Sequence, residues 1–248
     1  MDRIPDKLGQ DTIIEAVFEL RFLSTKDSVA DILPGLLYQH VSESFPKIER
    51  LGITQLPLSL IQSEASFRYA PHYKLIGDHY SMQVGEHVFS IGCPRPYSGW
   101  DEFKRKIHEL VNILRKTGIV DIVERFSVKY INIIPQNDAS LDQLKVSLTA
   151  GPFDLGKQAT LLRTEVIEDG FLNIVQISTQ VSTTLKDSEV VEGVLLDIDT
   201  ICQRDFSNFW DEFDGLLEQA HNVEKKIFFG LLKESTIENL DPQWGEIS

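Results

Sequence analysis

Charged residues alternate with apolar residues in the stretch IIEAVFELRF at positions 13–22. The side chains of a β-strand point alternately to its two faces, so Glu15, Glu19 and Arg21 would share one face while the other face is apolar. Such a charged face fits two roles. It can line a ligand site, or it can be a solvated sheet face held by cross-strand ion pairs.

Three further predicted strands carry charged residues at the same alternate spacing. These residues are Arg125 and Lys129 in IVERFSVKYINIIP, Arg163 and Glu165 in LLRTEV, and Asp197 and Asp199 in LLDIDT. Two carboxylates on one strand face could share a divalent ion. If all these faces line one concave sheet or tunnel, the chain would bind a phosphorylated ligand together with a divalent metal, as tunnel-shaped triphosphate enzymes do. Those enzymes carry Glu-x-Glu-x-Lys on the first strand, to which only Glu19-x-Arg21 aligns.

The other motifs that could bind phosphate or metal, or supply a nucleophile, are incomplete. GPFDLGK at 151–157 fits the first seven positions of a phosphate-binding loop, but Gln158 replaces the required Ser or Thr and a β-like run follows. We therefore predict a Gly-Pro loop there. The six histidines include no pair at the spacing of HExxH, and no Gly-x-Ser-x-Gly occurs. We predict no cofactor, no metal-binding motif and no catalytic residues, although a triad assembled only in space would escape sequence inspection.

The chain is acidic, with 248 residues, a formal net charge of −14 and a pI near 4.8. Direct nucleic-acid binding needs a basic surface that displaces counterions, so this charge argues against it and against an anionic membrane surface. The acid is concentrated in 181–248, which hold 15 Asp/Glu and 5 Lys/Arg, a net of −10. This charge either keeps the protein in solution or forms an acidic face for a basic partner, and mimicry of nucleic acid stays open.

Compartment is indicated by the cysteines and by the hydropathy pattern. Cys93 and Cys202 lie far apart without metal-ligand spacing, which suits a reducing cytosol. The charged and polar stretch MDRIPDKLGQD is not typical of a signal peptide, and no run approaches eighteen apolar residues. The sequence predicts a cytoplasmic protein with no membrane segment.

Hydrophobic periodicity predicts an α+β fold with a largely antiparallel sheet, two amphipathic helices and a long C-terminal helix. Predicted strands cover 12–22, the hairpins of 66–93, 122–135, 159–168, 171–181 and 190–201; predicted helices cover 27–45, 98–117 and 207–233. At Pro34 the first helix should kink or restart, and Ser98 should be the N-cap of the second, with Asp101 in the capping-box position. The two halves, 1–120 and 121–248, are either a duplicated unit or parts of one continuous domain.

The last helix carries a heptad-like apolar seam. A seam of this kind packs onto the protein's own sheet or forms a partner or self-association surface. The candidate interface residues are Phe209, Trp210, Phe213, Leu216, Val223 and Ile227.

Several motifs occur together in one order: LGQDTIIEAVFELRF, YSGWDEF, KYIN, GVLLDID and LEQAHNVEKKIFFGLL. In this the chain resembles a sporadically distributed family of uncharacterised bacterial proteins of about this length. That family opens with a Pro-Ile-Glu-Ala-like strand and has Arg-Tyr-Ile-Asn on its central strand, where this chain has Lys129. The family offers no catalytic residues to transfer, and its patchy distribution resembles that of phage-defence or toxin–antitoxin components.

The sequence supports two hypotheses. The first is a non-enzymatic binding or regulatory protein that acts through protein–protein contact or self-association, as an accessory component of a phage-defence or toxin–antitoxin system. The second is an enzyme or sensor that binds a phosphorylated ligand and a divalent ion through Glu15, Glu19, Arg21, Arg125, Lys129, Asp197 and Asp199.

Overall fold

The structure is a computed structural model that describes residues 4–135, 140–184 and 190–245. Its strands, in chain order, are β1 (Lys7–Leu8), β2 (Ile13–Leu23), β3 (Lys47–Arg50), β4 (Pro71–Ile76), β5 (Ser81–Gly85), β6 (Val88–Pro94), β7 (Ile122–Pro135), β8 (Thr149–Ala150), β9 (Phe153–Asp154), β10 (Leu161–Glu168), β11 (Phe171–Thr184), β12 (Val190–Gln203) and β13 (Pro242–Gln243). Its α-helices are α1 (Val29–Val41), α2 (Leu58–Ser63), α3 (Trp100–Lys116), α4 (Phe209–Leu231) and α5 (Glu234–Asn239).

Nine strands form one large antiparallel sheet in the order β10-β11-β12-β7-β2-β6-β5-β4-β3. Two small sheets accompany it, one from β1 and β13 and one from β8 and β9. The predicted α+β class with a long C-terminal helix is confirmed. The short helices α2 and α5 were not predicted, because six residues carry too little periodicity to stand out from a loop.

The chain divides into two compact units, each assembled from separate segments. The first unit comprises Met1–Glu15, Val128–Ile201 and Gly215–Ser248; the second comprises Ala16–Ser127 and Cys202–Asp214. Hydrophobic patterning along the chain does not reveal segments that are discontinuous in this way. The division into halves near residue 120 stays a prediction.

In the second unit, the backbone N–H groups at the start of α1 are hydrogen-bonded by a residue remote in sequence. The Glu86 carboxylate accepts hydrogen bonds from the backbone N–H groups of Val29 and Ala30, at 3.1 and 3.0 Å. A carboxylate at a helix N-terminus also meets the positive end of the helix dipole. Pro34 lies inside α1 and is buried, and the helix continues through it.

The start of α3 differs from the prediction. Its N-cap is Gly99, at φ 86°, and no side chain caps the helix. The Ser98 hydroxyl instead accepts a hydrogen bond from the Tyr80 hydroxyl at 2.8 Å. Of the apolar stripe that the periodicity of this helix predicts, Phe103, Ile107, Leu110, Val111 and Leu114 are buried, whereas Trp100 is half-buried. Gly118, at φ 65°, follows the helix as predicted.

The core of the second unit contains a cluster of phenylalanines. Phe18 of β2 stacks on Phe126 of β7 at a ring separation of 6.2 Å and meets Phe213 of α4 edge-on at 5.7 Å. Phe209 lies 5.1 Å from Phe213. The apolar parity of IIEAVFELRF therefore faces this core, as predicted.

The core of the first unit is formed by side chains from β7, β11, β12 and the end of α4. Its members are Ile134, Leu141, Leu144, Val175, Ile177, Val194, Leu196, Ile198, Phe228, Phe229, Leu232, Ile237 and Leu240. Phe228 and Phe229 are in edge-to-face contact at 5.2 Å. Among the residues that the structure describes, no helix is long and apolar enough to span a membrane.

Candidate functional site

The charged face of β2 in the second unit is an ion-pair cluster centred on one carboxylate oxygen. Glu19 Oε1 accepts hydrogen bonds from Arg21 Nε at 2.7 Å and from Arg125 Nη2 at 3.0 Å. The Arg125 side chain is only 15% exposed. Two strands position these groups, because Glu19 and Arg21 alternate along β2 and Arg125 lies on β7. Three of the seven predicted ligand residues are thus brought together.

Tyr69 extends this cluster. The Arg21 guanidinium lies 4.2 Å from the centre of the Tyr69 ring, a cation–π contact. The Tyr69 hydroxyl donates to Glu124 Oε2 at 3.0 Å, and Arg68 Nη2 donates to Glu124 Oε1 at 3.3 Å. Burial, and next the hydrogen bond to Glu124, raise the pKa of Tyr69 above its usual value. We call the six residues Glu19, Arg21, Arg68, Tyr69, Glu124 and Arg125 the arginine–tyrosine network.

Three members of the network were not predicted as site residues. Arg68 and Tyr69 belong to the aromatic cluster RYAPHY, and their signal in the sequence is an arginine beside an aromatic residue. Such a pair does not reveal which remote cation or carboxylate it will meet. The network contains three arginines and two glutamates, so its formal charge is +1 on a chain of net charge −14.

A cleft of about 700 Å³ lies within the second unit. It is lined by Val120, Asp121, Ile122, Val123, Glu124, Gln203, Arg204, Asp205, Phe206, Ser207, Asn208, Phe209 and Trp210. Three of its charged groups, Asp121, Glu124 and Arg204, already have partners within this unit. Asp121 accepts hydrogen bonds from the Thr25 backbone N–H and hydroxyl, which lower the pKa of its carboxyl group, and Arg204 pairs with Glu212.

The first unit holds a separate ion pair between Lys129 and Asp197. Lys129 Nζ lies 2.9 Å from Asp197 Oδ2, and the Asp197 side chain is 15% exposed. The register of β11 and β12 sets Asp197 opposite Gln176 and Asp199 opposite Ile174. Glu15 is half-buried on β2. Within the described ranges, no group of three or more His, Cys, Asp or Glu side chains is arranged to hold a metal ion.

GPFDLGK forms no phosphate cradle. The Gly156 N–H donates to Asp154 Oδ1 at 2.8 Å, and the Gly156 carbonyl accepts from the Leu141 N–H at 2.8 Å. The stretch continues into strand β10 instead of a helix. Gly151 and Pro152 form the turn between β8 and β9, and Phe153–Asp154 is strand β9, so the predicted loop is correct only in part.

A cysteine–histidine contact is present that spacing did not predict. Cys93 Sγ lies 3.4 Å from His79 Nε2 and 3.6 Å from Ser98 Oγ. The two residues are fourteen positions apart, on β6 and just before β5. Cys93 is 0% exposed, so its sulfur has no access to a substrate in this conformation. A thiol without solvent access packs as a small hydrophobic group.

The candidate interface on α4 is mostly inside the protein. The buried members are Phe209, Phe213, Leu216 and Val223. Trp210 and Ile227 are half-buried. The Trp210 ring lies 5.5 Å from the Arg115 guanidinium in the second unit. The four buried side chains are not available to a partner while the chain holds this conformation.

Exposed apolar side chains instead collect on the edge strand β10 of the first unit. Leu161 is 71% exposed, Val166 is 39% exposed and Ile167 is 77% exposed. The strand pairs with β11 along all eight of its residues, and no other strand of the described residues pairs with it. A long edge strand with exposed apolar side chains is a template for pairing with another chain.

Comparison of the sequence with models of known protein families gave no match, and comparison with curated proteins gave none either.

Proposed function

We propose that the chain is a non-enzymatic binding protein that acts through contact with another protein chain. The observation that carries this proposal is the edge strand β10, which presents Leu161, Val166 and Ile167 to solvent along an outer edge that no described strand occupies. Native proteins usually protect such edges with short strands, charges or covering loops. β10 carries charged residues, but it is eight residues long, has no lysine and has no described strand on its outer edge, so it is a ready binding surface.

The charged sheet faces support this proposal over a site for a phosphorylated ligand and a metal. Glu19 forms ion pairs with Arg21 and Arg125, and Lys129 forms one with Asp197, so these charged groups already have partners within the chain. A phosphate would have to displace a carboxylate already hydrogen-bonded to the arginine it needs. The arrangement fits cross-strand ion pairs that fix strand pairing.

The resemblance to a patchily distributed bacterial family supports a role as accessory component of a phage-defence or toxin–antitoxin system. Components of such systems are encoded beside the proteins with which they act. The partner sought first is therefore the product of a neighbouring gene.

The test is co-purification of the tagged chain with its neighbour-encoded proteins, followed by size-exclusion chromatography. We expect the native chain to elute as a complex, either with further copies of itself or with a neighbour-encoded protein. The variant Ile167→Lys should no longer form this complex. Ile48→Lys, on the other edge strand β3, is the matched control, since Ile48 is 41% exposed. Elution of the native chain as a monomer, with no neighbour-encoded protein bound, would contradict the proposal. Equal complex formation by both variants would place the contact elsewhere and contradict the assignment to β10.

A further inference from the structure

The outer edge of β10 has a defined hydrogen-bonding pattern. β10 and β11 are joined by Asp169 and Gly170, at φ 49° and 82°, which is a two-residue turn of the hairpin type. The closing pair of such a turn, Glu168 with Phe171, is hydrogen-bonded, and hydrogen-bonded pairs then alternate along the ladder. The Thr179 N–H accordingly donates to the Thr160 carbonyl at 3.0 Å.

This alternation decides which backbone groups are free. The even-numbered residues of β10 direct their N–H and C=O groups at β11. The odd-numbered residues direct theirs at the outer edge, and they are Leu161, Arg163, Glu165 and Ile167. Side chains of the same four residues share the sheet face opposite the core, whereas Leu162 packs on the core of the first unit.

We propose that the occupant of this edge is a second copy of the same chain, paired antiparallel about a two-fold axis at Thr164. This inference rests on the proposed function and names its partner. In this register Arg163 of one copy lies opposite Glu165 of the other, and Leu161 lies opposite Ile167. On the other face of the sheet Leu162 lies opposite Val166. Charged residues thus meet opposite charges, and apolar residues meet apolar residues.

The neighbouring registers lack this complementarity. Centring the pairing on Arg163 sets the two guanidinium groups against each other and Leu161 against Glu165. Centring it on Glu165 sets two carboxylates together and Arg163 against Ile167. Like charges directly opposite are destabilising. The order of residues in LLRTEVIE therefore selects one register of self-pairing.

The hydrogen-bond pattern fits the same register. Arg163 and Glu165 both direct their backbone groups outward, so they form a hydrogen-bonded pair with the second copy. The two Thr164 residues form a non-hydrogen-bonded pair, because their backbone groups already face β11. Four outward residues on each copy give about eight hydrogen bonds between the copies. The dimer is isologous and closes, so it leaves no free edge at β10.

The edge strand β3 shows what a protected edge in this chain looks like. It has four residues, KIER, and three of them are charged. Lys47 forms its ion pair with Glu49 on the same strand. Short length and lysine are the usual devices against edge pairing. β10 is twice as long and has no lysine. Its Arg163 and Glu165 form an ion pair within the strand at 3.2 Å, and in the proposed register each also lies opposite the opposite charge of the second copy.

Cysteine cross-linking tests the register. In a non-hydrogen-bonded pair the Cα atoms lie about 4.5 Å apart, which suits a disulfide. We expect Thr164→Cys to form a disulfide-linked dimer under mild oxidation, since Cys93 and Cys202 are buried. Val166→Cys is the control on the same strand. Its two copies would be four residues apart along the ladder, about 13 Å, and should stay unlinked. Cross-linking by Val166→Cys and not by Thr164→Cys would overturn the register.

A charge-swap experiment tests the pairing without cysteines. Arg163→Glu and Glu165→Arg each place like charges opposite in a dimer of identical copies, so each should dimerise at least tenfold more weakly than the native chain in sedimentation equilibrium. An equimolar mixture restores opposite charges across the axis and should form a mixed dimer. A native chain that is monomeric, or single variants that dimerise as the native chain does, would overturn the inference.

The two proposals fail separately. If the native chain is monomeric but Ile167→Lys loses a neighbour-encoded partner, self-pairing is overturned and the binding function stands. If the native chain dimerises through β10 and binds nothing else, self-pairing is supported. If the native chain is monomeric and binds no neighbour-encoded protein, both proposals are overturned.

Discussion

Arg125 Nη2 lies 3.0 Å from Glu19 Oε1, the oxygen that also accepts from Arg21 Nε at 2.7 Å. One carboxylate therefore compensates two guanidinium groups, and one of them is mostly buried. The Arg125 Nε atom is buried and makes no hydrogen bond within the described part of the chain. Loss of Glu19 would leave the mostly buried Arg125 without this charge partner, which is the costly case for a buried ion.

We expect Glu19→Ala to lower the free energy of unfolding by about 2 kcal/mol, the usual range for a hydrogen bond to a charged group. Glu49→Ala is the control, because its pair with Lys47 is exposed and such pairs contribute about 0–1 kcal/mol. Equilibrium unfolding in urea measures both. Equal effects of the two substitutions would show that Glu19 is an ordinary surface carboxylate.

Ligand binding gives a second prediction, which separates the two sequence-based hypotheses. Because Glu19 and Asp197 already occupy Arg125 and Lys129, nucleotides and polyphosphates should shift the thermal midpoint by less than about 1 °C, with or without Mg²⁺ or Mn²⁺. Thermal-shift screening measures this. A saturable shift that Arg125→Ala abolishes, with a normal unfolding transition of that variant, would instead support the phosphorylated-ligand hypothesis.

The sequence predicted the fold class and most long elements because their periodicities are local. β2, β7 and α3 each carry an alternation or stripe that depends only on which neighbours are apolar. Ser98 shows the limit of local reasoning. Its spacing fits a helix N-cap, yet its hydroxyl bonds to Tyr80 of another segment. A tertiary hydrogen bond therefore replaces the local capping interaction that the sequence predicted.

The candidate site was predicted only in part, for a related reason. Alternation placed Glu19 and Arg21 on one face, and it offered Arg125 and Lys129 as cross-strand partners of Glu15 and Glu19. Arg125 does pair with Glu19, whereas Lys129 pairs with Asp197. Nothing in the spacing could bring Tyr69 and Glu124 to that cluster, because strand order is not encoded in periodicity. The apolar seam of α4 likewise predicts a surface that must be buried. It does not indicate whether the chain's own sheet or a partner buries that surface.

Gly193 gives a third prediction about a position that the sequence did not single out. It lies within β12, and a Cβ there would come within 2.0 Å of the Ile134 backbone carbonyl oxygen. Backbone cannot move aside as a flexible side chain can, so Gly193→Ala should destabilise the chain by about 3 kcal/mol or more. Gly35→Ala in α1 is the control, since nothing lies within 4 Å of its Cβ position. There we expect a gain of about 0.5–1 kcal/mol. Chemical unfolding compares them.

Thiol reactivity gives a fourth prediction. Cys93 is 0% exposed, Cys202 is 5% exposed, and burial raises the pKa of the Cys202 thiol. Neither should react with a thiol reagent in the native state on the timescale of minutes, whereas both should react in denaturant. The count of modified thiols by mass spectrometry measures this. Rapid native-state modification of Cys93, abolished by His79→Ala, would reveal an activated nucleophile.

Glu224 in α4 gives the last prediction, a dependence of stability on pH. The residue is 5% exposed, and burial raises the pKa of its carboxyl group to about 8, opposed by the nearby charge of Lys225. The pKa in the unfolded chain is near 4.3. Because the folded value is the higher one, the folded state holds the proton between these values. The contribution of the protonated Glu224 carboxyl group to stability is fully present below pH 4. It is lost as the pH rises to 8, and it remains absent above pH 8.

Glu224→Gln cannot lose this proton, so the variant should be more stable than the native chain at pH 9 and much closer to it at pH 5. The change between the two pH values is on the order of 4 kcal/mol at most, since each pKa unit corresponds to about 1.4 kcal/mol. Urea unfolding of both proteins at pH 5, 7 and 9 measures it. Exposed Glu238 on α5 supplies the control Glu238→Gln, which should track the native chain at every pH. A stability difference between Glu224→Gln and the native chain that does not change with pH would mean that Glu224 is already ionised in the folded protein.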